Sequence, residues 1–480
     1  MKKIATVFTI YLLWICIVPS GANAQNILYG LVNSGGAHDF GVLFKYNTTT
    51  ETYTKVMDLD SINGSWPIGS MIQASNGKMY GMMNSGGAKD WGVIFEFNPA
   101  TETYTKKLEL DSLTNGCWPW SDFTEAPNGK LYGLVSRGAT KNWGTLIEYD
   151  PSTNTLVTKL DLGGSSSSGV NGSVPKRNNL VLAPNGKFYG MVYAGSNAGR
   201  GMLFEYDYMT DTYTPKVSFG QEGAYNPYGS LILANNGKFY GLLNWGGVHD
   251  YGVIFEYDYV TDTYTKKIDL DSINTGSYPT SSLIKASNGK LYAMINSGGT
   301  DDAGLILEYD PATNIAMKKV DFDYDNDGAW SWGELTEVSN GVFYGMLNSG
   351  GINDYGTIIR YDLNSNILTK ELDFNGTFNG AWPNGYMTIY KTSTGIMQKN
   401  SVPDISFYPN PVYDKLIVDM GKVYKEIQVA VSNVQGQEII RTKFINSQLL
   451  NLNVANLVPG IYSINTYTPE KSVLLKMVKK

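Results

Sequence analysis

One short motif returns seven times along the chain at a nearly constant interval, and this repetition limits what the chain can fold into. The motif is a Tyr-Gly pair, or Tyr-Ala in one copy, at Tyr29, Tyr80, Tyr132, Tyr189, Tyr240, Tyr292 and Tyr344. The intervals are 51, 52, 57, 51, 52 and 52 residues, and the long one contains the flexible Gly- and Ser-rich run Gly163–Gly169. A fixed period of this length indicates a repeat architecture in which each copy is one structural unit.

Each copy contains four runs that are typical of short β-strands. In the fifth copy these runs are Ser230–Ala234, Lys238–Leu243, Gly252–Asp258 and Thr263–Ile268. Such runs, rich in β-branched and aromatic residues and bounded by Gly, Asn and Asp, predict strands. In six copies an Asn-Gly pair precedes the tyrosine, which predicts a hairpin with a type I′ turn. Because one small sheet cannot bury both of its faces, the copies must stack on one another.

The two ends of the array complement each other. The first copy has the Tyr29 strand but none in front of it, while the last copy ends with Tyr386–Tyr390 and no Tyr-Gly strand after it. Pairing these half-units closes the array into a ring, which protects the sheet edges. The sequence therefore predicts an all-β fold with a seven-bladed β-propeller over residues 25–396. An open solenoid, the alternative, would leave both half-units unpaired.

The motifs within each copy resemble those of known propeller repeats. Asn128–Tyr132 followed by Tyr149–Thr153 resembles the kelch repeat. Tyrosine stands where kelch repeats usually have tryptophan, at Tyr53, Tyr104, Tyr213 and Tyr264. With its Tyr-Gly and Gly-Gly pairs, the array looks more like the bacterial GloVer-type tandem repeats, from residue 27 to about residue 397. This resemblance implies a kelch-like propeller with a surface anchor, and it implies no particular activity.

The first residues are typical of an export signal. A basic start and an apolar run, Ile4–Val18, precede an Ala-x-Ala sequence that ends at Ala24. This order predicts a signal peptide, residues 1–24, cleaved between Ala24 and Gln25. A membrane anchor is the alternative, but the run is shorter than the roughly 20 residues that span a bilayer. Cleavage would leave Cys117 without a disulfide partner.

The C-terminal segment follows a different pattern. A polar linker, residues 397–404, leads into residues 405–480, whose alternating runs predict a small Ig-like β-sandwich. The segment resembles the C-terminal sorting domain of the type IX secretion system of Bacteroidetes-type bacteria; an ordinary Ig-like spacer is the alternative. The matching positions include Pro409, Asn410, Pro411, Gly436, Gly460, Tyr462 and Lys476. The resemblance implies binding to the secretion machinery, export across the outer membrane, removal of the tail and attachment to the cell surface.

The charge pattern excludes one class of partner. Lysine and arginine number 37 against 44 acidic residues, for a net charge of −7, and they form no basic cluster. Nucleic-acid binding needs a basic stripe that neutralises phosphates, so we expect no nucleic-acid partner. No segment after the signal peptide is apolar for long enough to span a membrane, so we expect no transmembrane span in the mature chain.

No residue pattern predicts a catalytic site. His38 and His249 occupy the same repeat position in two copies, which predicts an exposed loop site. The chain has no Gly-x-Ser-x-Gly turn of the kind that presents a nucleophilic serine. Several acids recur with the repeat and are more simply explained by blade construction: Glu96, Glu148, Glu205, Glu256 and Glu308. Two carboxylates on separate blades remain an alternative, which would make the protein a secreted carbohydrate-active hydrolase or lyase.

One loop has the spacing of calcium ligands. Asp323, Asp325 and Asp327 alternate before Gly328, and Glu334 follows. Alternate oxygen ligands, a glycine at the sharp turn and a late carboxylate are what a calcium loop needs. The sequence therefore predicts a structural calcium ion on these four carboxylates. The alternative is a metal-free variant of the loop that other copies carry, such as Asp58–Gly64.

Aromatic residues recur before the first strand of the repeats. The members of this set are Trp66, Trp118, Tyr278, Trp330 and Trp382. A second set follows the Gly-Gly pair, at Phe40, Trp91, Trp143, Tyr251 and Tyr355. Such rings either stack on a sugar or a protein loop, or pack between blades. We predict non-catalytic binding of a glycan or a protein through the first set; a purely structural coat component is a further alternative. A unique acid or histidine cluster that breaks the pseudo-symmetry would favour an enzyme instead.

Overall fold

A computed structural model describes residues 27–163, 169–196, 199–220, 223–391, 406–408, 412–433, 437–468 and 472–479. The chain divides into two compact units, Met1–Thr392 and Ser393–Lys480. Several predicted features lie outside the described residues: the signal peptide with Ala24 and Gln25, the linker 397–404, and the sorting-motif residues Pro409, Asn410, Pro411 and Gly436.

The described part of the chain is all-β and contains no helix. The strands of the first unit are β1 Ile27–Val32, β2 Val42–Asn47, β3 Thr52–Asp58, β4 Met71–Gln73, β5 Met79–Met83, β6 Val93–Asn98, β7 Thr103–Glu109, β8 Thr124–Glu125, β9 Leu131–Val135, β10 Thr145–Asp150, β11 Thr155–Asp161, β12 Gly169–Ser173, β13 Val181–Leu182, β14 Phe188–Val192, β15 Ala194–Ser196, β16 Met202–Asp207, β17 Thr212–Ser218, β18 Ile232–Leu233, β19 Phe239–Leu243, β20 Val253–Asp258, β21 Thr263–Asp269, β22 Ile284–Lys285, β23 Leu291–Ile295, β24 Leu305–Asp310, β25 Ile315–Asp321, β26 Thr336–Ser339, β27 Val342–Leu347, β28 Thr357–Asp362, β29 Ile367–Asp373 and β30 Thr388–Tyr390. In agreement with the sequence-based prediction, each repeat supplies short antiparallel strands.

These strands form seven four-stranded antiparallel sheets among the described residues. In chain order, and numbered here as blades 1 to 7, the sheets are β30-β1-β2-β3, β4-β5-β6-β7, β8-β9-β10-β11, β13-β14-β16-β17, β18-β19-β20-β21, β22-β23-β24-β25 and β26-β27-β28-β29. The arrangement is the propeller architecture that the repeat predicts.

Blade 1 joins the two ends of the array. Strand β30 pairs antiparallel with β1, with Tyr29 opposite Thr388 and Ile27 opposite Tyr390. Across the same closure, the Tyr46 hydroxyl donates to Glu371 at 2.6 Å. The half-units at the two ends therefore complete one sheet, as the sequence predicts.

The core lies between neighbouring blades. The second strand of a blade is buried along its whole length, as in β19, whereas the last strand alternates exposed and partly buried residues, as in β21. One core cluster joins Leu242 and Ile254 of blade 5 to Leu291 and Leu305 of blade 6. Fully burying such a side chain contributes about 1.5–3 kcal/mol. Each blade therefore depends on its neighbour for stability.

The Asn-Gly hairpins differ from the prediction in their turn type. In blade 2, Gly77 has a φ of 81°, whereas Asn76 is not among the residues with positive φ, as a type I′ turn would require. The Gly77 amide donates to the Ala74 carbonyl at 2.9 Å, and the Ala74 amide donates to the Lys78 carbonyl at 2.9 Å. This is a three-residue loop that ends in a left-handed glycine, the second common solution for a hairpin. The predicted hairpin is present, and the predicted type I′ turn is wrong.

A repeated cluster of Lys, Tyr and Glu holds the second and third strands of five blades together. In blade 2 the Tyr80 hydroxyl donates to Glu96 at 2.7 Å, and Lys78 Nζ donates to the same carboxylate at 2.6 Å. Burial acts to raise the pKa of Glu96, but these hydrogen bonds outweigh burial and hold the pKa below its ordinary value. The other glutamates with such partners are Glu148, Glu205, Glu256 and Glu308. The periodic acids thus serve blade construction.

Blade 4 carries an addition that the other blades lack among the described residues. Strands β12 and β15 pair with each other in a separate two-stranded sheet, with Ser173 opposite Ala194. The addition follows the Gly- and Ser-rich insertion that lengthens this one repeat interval. Blade 4 is therefore the blade at which this added two-stranded sheet interrupts the repeat.

Among its described residues, the second unit contains five strands. They are β31 Ser406–Tyr408, β32 Lys415–Ser432, β33 Glu438–Asn453, β34 Gly460–Tyr467 and β35 Ser472–Lys479. The sequence predicts separate short strands where β32 and β33 each run on as one long strand, with a register shift between Asp419 and Tyr424. All five strands belong to one hydrogen-bonded sheet. The Ig-like sandwich stays a prediction.

Candidate functional site

Two sets of loops meet on one side of the first unit. We call them the interblade loops, which lead from the last strand of one blade to the first strand of the next, and the Gly-Gly loops, which join the second and third strands of a blade. In blade 1 the Ser34 amide donates to the Ala381 carbonyl at 3.1 Å, and the Gly36 amide donates to the Gly376 carbonyl at 2.8 Å. The loop side is therefore a continuous hydrogen-bonded surface.

The predicted aromatic residues lie on these interblade loops. Trp66, Trp118 and Trp382 are each 43% exposed and Trp330 is 42% exposed, while Tyr278 is partly buried. Each backbone amide donates to a carbonyl of the preceding Gly-Gly loop. For the donors Trp66, Trp118, Tyr278, Trp330 and Trp382, the acceptors are, in this order, Phe40, Trp91, Tyr251, Ala303 and Tyr355, at 3.0, 3.0, 2.9, 3.1 and 2.9 Å. The backbone of these residues is fixed while much of each tryptophan remains open to solvent.

The aromatic position has a left-handed backbone in every repeat. Its φ is 48° at Trp66, 55° at Trp118 and 58° at Trp330. Val174 and Asn226 occupy the same position in two other copies, with φ of 50° and 59°. Asparagine adopts this conformation most readily among residues with a side chain, and bulky residues are unfavourable there. A tryptophan in four copies therefore places a large ring at a position where the turn itself favours a smaller residue.

Contacts with neighbouring aromatic rings cover part of the aromatic side chains on the interblade loops. Trp66 lies 6.2 Å from Phe40 between ring centroids, and Trp382 lies 5.8 Å from Tyr355 in an edge-to-face arrangement. Tyr278 contacts both Trp245 at 4.6 Å and Tyr251 at 5.8 Å. The second aromatic set thus supports Trp66, Tyr278 and Trp382 from one side, while much of each tryptophan of the first set stays exposed.

The four predicted calcium ligands do not form one ligand set. The Asp323 carboxylate accepts the amides of Asp325 and Asn326, both at 3.0 Å, which closes a turn. Asp60 makes the same turn in its own loop. Glu334 instead lines a pocket on the axis of the blades. Among the described residues no group of three or more His, Cys, Asp or Glu side chains is arranged to hold a metal ion.

The chain turns at Asp323 and Asp327 and then runs to the axis, where Glu334 lies. The Asp323 loop makes the same turn as the Asp60 loop of another copy. Calcium binding by Asp323, Asp325, Asp327 and Glu334 stays a prediction.

Residues at one repeat position meet on the axis, and we call them the axial ring. They are Ser70, Asp122, Asn179, Ser230, Ser282, Glu334 and Tyr386. Backbone amides donate to the next side chain around the ring: Tyr386 to Ser70 at 2.7 Å, Ser70 to Asp122, Asp122 to Asn179 at 2.7 Å, Asn179 to Ser230 at 2.8 Å and Ser230 to Ser282 at 2.7 Å. The polar side chains of the axial ring connect the blades at the centre.

Burial controls the titration of the axial ring. It raises the pKa of Asp122, although Ser70 and Asn179 donate hydrogen bonds to this carboxylate. It also raises the pKa of Glu334 to about 7, assisted by the nearby charge of Asp122 and opposed by Ser282 and Arg177. The pKa of Tyr386 is raised well above its ordinary value for the same reason. The axis therefore holds acids that are poorly solvated and coupled to one another.

Two spaces lie along the axis. A pocket of about 20 Å³, lined by Asp122, Arg177 and Glu334 among others, has room for about one water molecule. A larger cavity of about 340 Å³ is lined by the first strands of several blades and shares Asn179, Ser282, Glu334 and Tyr386 with the small pocket. Four members of the axial ring thus line both spaces.

The sequence analysis missed a group of residues that we call the axial mouth: Trp120, Lys176, Arg177, Tyr193, Tyr228 and Trp332. Lys176 Nζ lies over the rings of Trp120 at 3.8 Å, Tyr193 at 5.3 Å and Tyr228 at 5.9 Å. The Arg177 guanidinium lies 5.3 Å from the ring of Trp332. Trp120, Lys176, Tyr228 and Trp332 all stand two residues after the aromatic position. That constant offset is the signal that could have revealed them.

Arg177 connects three blades at the mouth. Its Nη1 donates to the carbonyls of Ile68 and Trp332, both at 3.3 Å, and to that of Asn384. Its Nε is buried and has no hydrogen-bond partner among the described residues. Burial lowers the pKa of Arg177 to about 10, with Asp122 acting in the opposite direction. The guanidinium therefore has a structural role and one unused donor.

The remaining candidates lie apart from this site. His38 and His249 are exposed on Gly-Gly loops of blades 1 and 5, as the sequence predicts. Cys117 is a buried free cysteine, and burial raises the pKa of its thiol. In the second unit, Gly460 begins β34, Lys476 lies in β35, and the buried Tyr462 donates to the Val458 carbonyl at 2.9 Å. Within the described ranges, no helix has the length and apolar character to cross a membrane.

Family models match both parts of the chain. The Gloeobacter/Verrucomicrobia repeat matches residues 18–180 and 175–398, and the Secretion system C-terminal sorting domain matches residues 406–480. The chain therefore belongs to the Gloeobacter/Verrucomicrobia repeat family, and both resemblances seen in the sequence are confirmed. The sorting domain directs the protein through the type IX secretion machinery, across the outer membrane, to the cell surface or extracellular space.

Solved propeller-like structures resemble this chain at low sequence identity. The periplasmic gluconolactonase of Pseudomonas aeruginosa is 14% identical, with a TM-score of 0.52, over 74% of this chain and 97% of that chain. A putative 6-phosphogluconolactonase from Bacteroides fragilis is 13% identical, with a TM-score of 0.50, over 77% and 99%. The chain spans 63% of the length of TolB from Acinetobacter baumannii, over 62% of its own length, at 16% identity and a TM-score of 0.38. No curated protein matches the sequence. At such identities the two lactonase structures show the fold alone.

Proposed function

We propose that the protein is a non-catalytic binding module of the cell surface, which recognises a glycan through the aromatic residues of its loop side. The observation that carries this proposal is the exposure of Trp66, Trp118, Trp330 and Trp382, which are 42–43% exposed at a backbone position that favours smaller residues. Exposed aromatic faces suit the apolar face of a sugar ring. Repetition of the same ring in several blades suits a ligand that is itself a repeating chain.

Preorganisation supports this function. Each tryptophan is anchored by a backbone hydrogen bond to the neighbouring Gly-Gly loop, and Trp66 and Trp118 also donate through Nε1 to the carbonyls of Asp39 and Asp90, both at 3.3 Å. A ring that is already held in place loses little conformational entropy on binding. Such a surface can bind without rearrangement of the blades.

The axial acids give little support to the hydrolase or lyase alternative. Asp122 accepts hydrogen bonds from Ser70 and Asn179, so its lone pairs serve the axial ring. The space beside Asp122 and Glu334 is about 20 Å³, which is far below the volume of about 300 Å³ or more that is usual for a small-molecule site. Glu334 is the one axial acid that also lines the larger cavity. It is therefore the residue to substitute in testing for catalysis.

A glycan-array screen of the full-length protein, with product analysis of each retained glycan, tests the proposal. We expect retention without product release. Substitution of Trp118 by alanine should lower the affinity about tenfold, equivalent to about 1.4 kcal/mol. Met209→Ala and Val260→Ala are matched controls, because these side chains are 75% and 78% exposed on other loops; they should leave the affinity unchanged.

Other outcomes would redirect the assignment. Product release that is abolished by Glu334→Gln would show an enzyme and overturn the proposal. Retention of proteins from the cell surface, with no retained glycan, would show a protein-binding module. Equal losses in Trp118→Ala and Met209→Ala would remove the aromatic set from the binding surface.

A further inference from the structure

The departures from the repeat concentrate at the axial mouth and at the neighbouring Arg137, mainly in blade 4. Arg137 stands where four other copies have serine, and Tyr193 stands where five copies have asparagine. Lys176 and Arg177 follow the only insertion of several residues in the array, and the two-stranded sheet β12–β15 lies next to Tyr193. The other blades form without residues of these types at these positions, although Arg177 also joins neighbouring blades through its hydrogen bonds.

The same departures bring three cations together. Arg137 and Arg177 both act on the titration of Lys176, whose pKa is lowered to about 8, first by burial and then by these two arginines. Within the described residues, no carboxylate lies within 4.0 Å of the side-chain nitrogens of Arg137 or Lys176. Arg177 Nε is buried without an acceptor. Asp122 and Glu334 act on Arg177 from the axial side, so the excess of positive charge comes from Arg137 and Lys176, in a chain of net charge −7.

Aromatic rings surround these cations. Trp120, Tyr193 and Tyr228 lie around the Lys176 ammonium, and Trp332 lies beside Arg177. Tyr228 packs edge-on against both Tyr193 at 4.9 Å and Trp332 at 6.4 Å. Contact with the rings holds the two cations in place, although it does not neutralise their charge. The mouth therefore offers positive charge and aromatic surface together.

We propose that the axial mouth binds the anionic group of an acidic saccharide, such as the carboxylate of a uronic acid. Lys176 and Arg137 supply the charge, Arg177 adds a third cation beside Trp332, and the rings of Trp120 and Trp332 contact the sugar. The pocket of about 20 Å³ behind the mouth is lined by Asp122 and Glu334 and lies outside the proposed site, because these carboxylates would repel the anionic group. This inference rests on the proposed function and names the ligand class of the same loop side.

Calorimetric titration of the full-length protein with paired saccharides tests the inference. The probes are an oligogalacturonide, its fully methyl-esterified form and a sulfated oligosaccharide of equal length. We expect the oligogalacturonide to bind at least about fivefold more tightly than the ester, and the difference to shrink in high salt because salt screens the charges. Binding of the sulfated probe as tightly as the oligogalacturonide would show that the mouth selects charge and not the carboxylate itself.

Variants locate the effect at the mouth. Lys176→Gln should lower the affinity for the oligogalacturonide about tenfold and leave that for the ester unchanged. Lys141→Gln is the matched control, since this exposed lysine lies on a Gly-Gly loop of the same side, and it should change neither affinity. Arg137→Gln serves as a second test if Lys176→Gln lowers the thermal stability.

Each outcome decides between the two proposals. Equal affinity for the oligogalacturonide and its ester would overturn the inference and leave glycan binding intact. Equal effects of Lys176→Gln and Lys141→Gln would also overturn it, because the charge effect would then be general. Retention of no saccharide in either the array or the titration would overturn the proposed function and the inference together.

Discussion

The side of the blades that carries the Asn-Gly hairpins keeps the repeat closely, whereas the axial mouth departs from it. Near the hairpins, five blades repeat the same Lys, Tyr and Glu cluster with nearly the same distances, so that Glu96 and Glu308 have equivalent surroundings. At the mouth, the corresponding positions carry Trp120, Lys176 and Tyr228, two aromatic rings and a cation. The repeated Lys, Tyr and Glu clusters build the blades, whereas the departures at the axial mouth give one place on the loop side a chemistry that the other blades lack.

The largest predicted effect is on the free energy of unfolding, and it tests whether the closing blade is packed like the other blades. Phe44 in the closing blade 1 and Phe255 in blade 5 are both fully buried between blades. Replacing either with alanine should lower the free energy of unfolding by about 3–5 kcal/mol, the usual cost of removing a buried phenylalanine. Chemical denaturation measures both. A much smaller loss for Phe44→Ala would contradict closure by β30.

A repeated acid should stabilise the fold at neutral pH. Lys290 Nζ and the Tyr292 hydroxyl each donate to Glu308 at 2.6 Å. Burial acts to raise the pKa of Glu308, but these partners outweigh burial and lower the pKa. Glu308→Gln should therefore cost about 1–3 kcal/mol at pH 7, and the loss should disappear as the pH falls and the carboxyl group is protonated. Unfolding curves from pH 3 to pH 8 measure it; a loss that persists at pH 3 would contradict the electrostatic cause.

Glu334 on the axis should have the opposite effect on stability as the pH changes. The pKa of Glu334 is raised to about 7 by burial, so between its ordinary value and pH 7 the unfolded chain ionises while the folded protein keeps the proton. The stability contributed by Glu334 therefore falls as the pH rises through this window. Glu334→Gln should be neutral at pH 4 and more stable than the wild type by about 1–2 kcal/mol at pH 8. A destabilised variant at pH 8 would show that the ionised carboxylate is needed at the axis.

The smallest effect on stability is expected at the aromatic position. Trp118 has a φ of 55°, and Asn226 adopts the same conformation in another copy. Trp118→Asn should change the free energy of unfolding by less than about 1 kcal/mol, because the backbone relief offsets the lost packing. Retention on the glycan array should fall nevertheless. A large loss of stability with unchanged retention would make Trp118 a packing residue.

The repeat made most of the fold predictable from sequence. The constant interval predicts one sheet per copy, because each copy must bury the same apolar strands. The paired half-units at the two ends predict that the ring closes. The turn type was wrong at Asn76 because a left-handed glycine suits both a type I′ turn and the three-residue loop. The place of Glu334 on the axis could not be predicted, because the spacing of acids does not show where the chain turns. The axial mouth escaped prediction because a search for repeated residues passes over Lys176 and Arg177.

One pair of variants tests the central claim that the repeated Lys, Tyr and Glu clusters build the blades, while the departures at the axial mouth recognise the anionic group of the ligand. Thermal stability and affinity for the oligogalacturonide should be measured together for Glu308→Gln and Lys176→Gln. The account predicts that Glu308→Gln lowers the Tm at unchanged affinity, while Lys176→Gln lowers the affinity about tenfold at unchanged Tm. The reverse pattern, or an equal loss of both quantities in both variants, would contradict the claim.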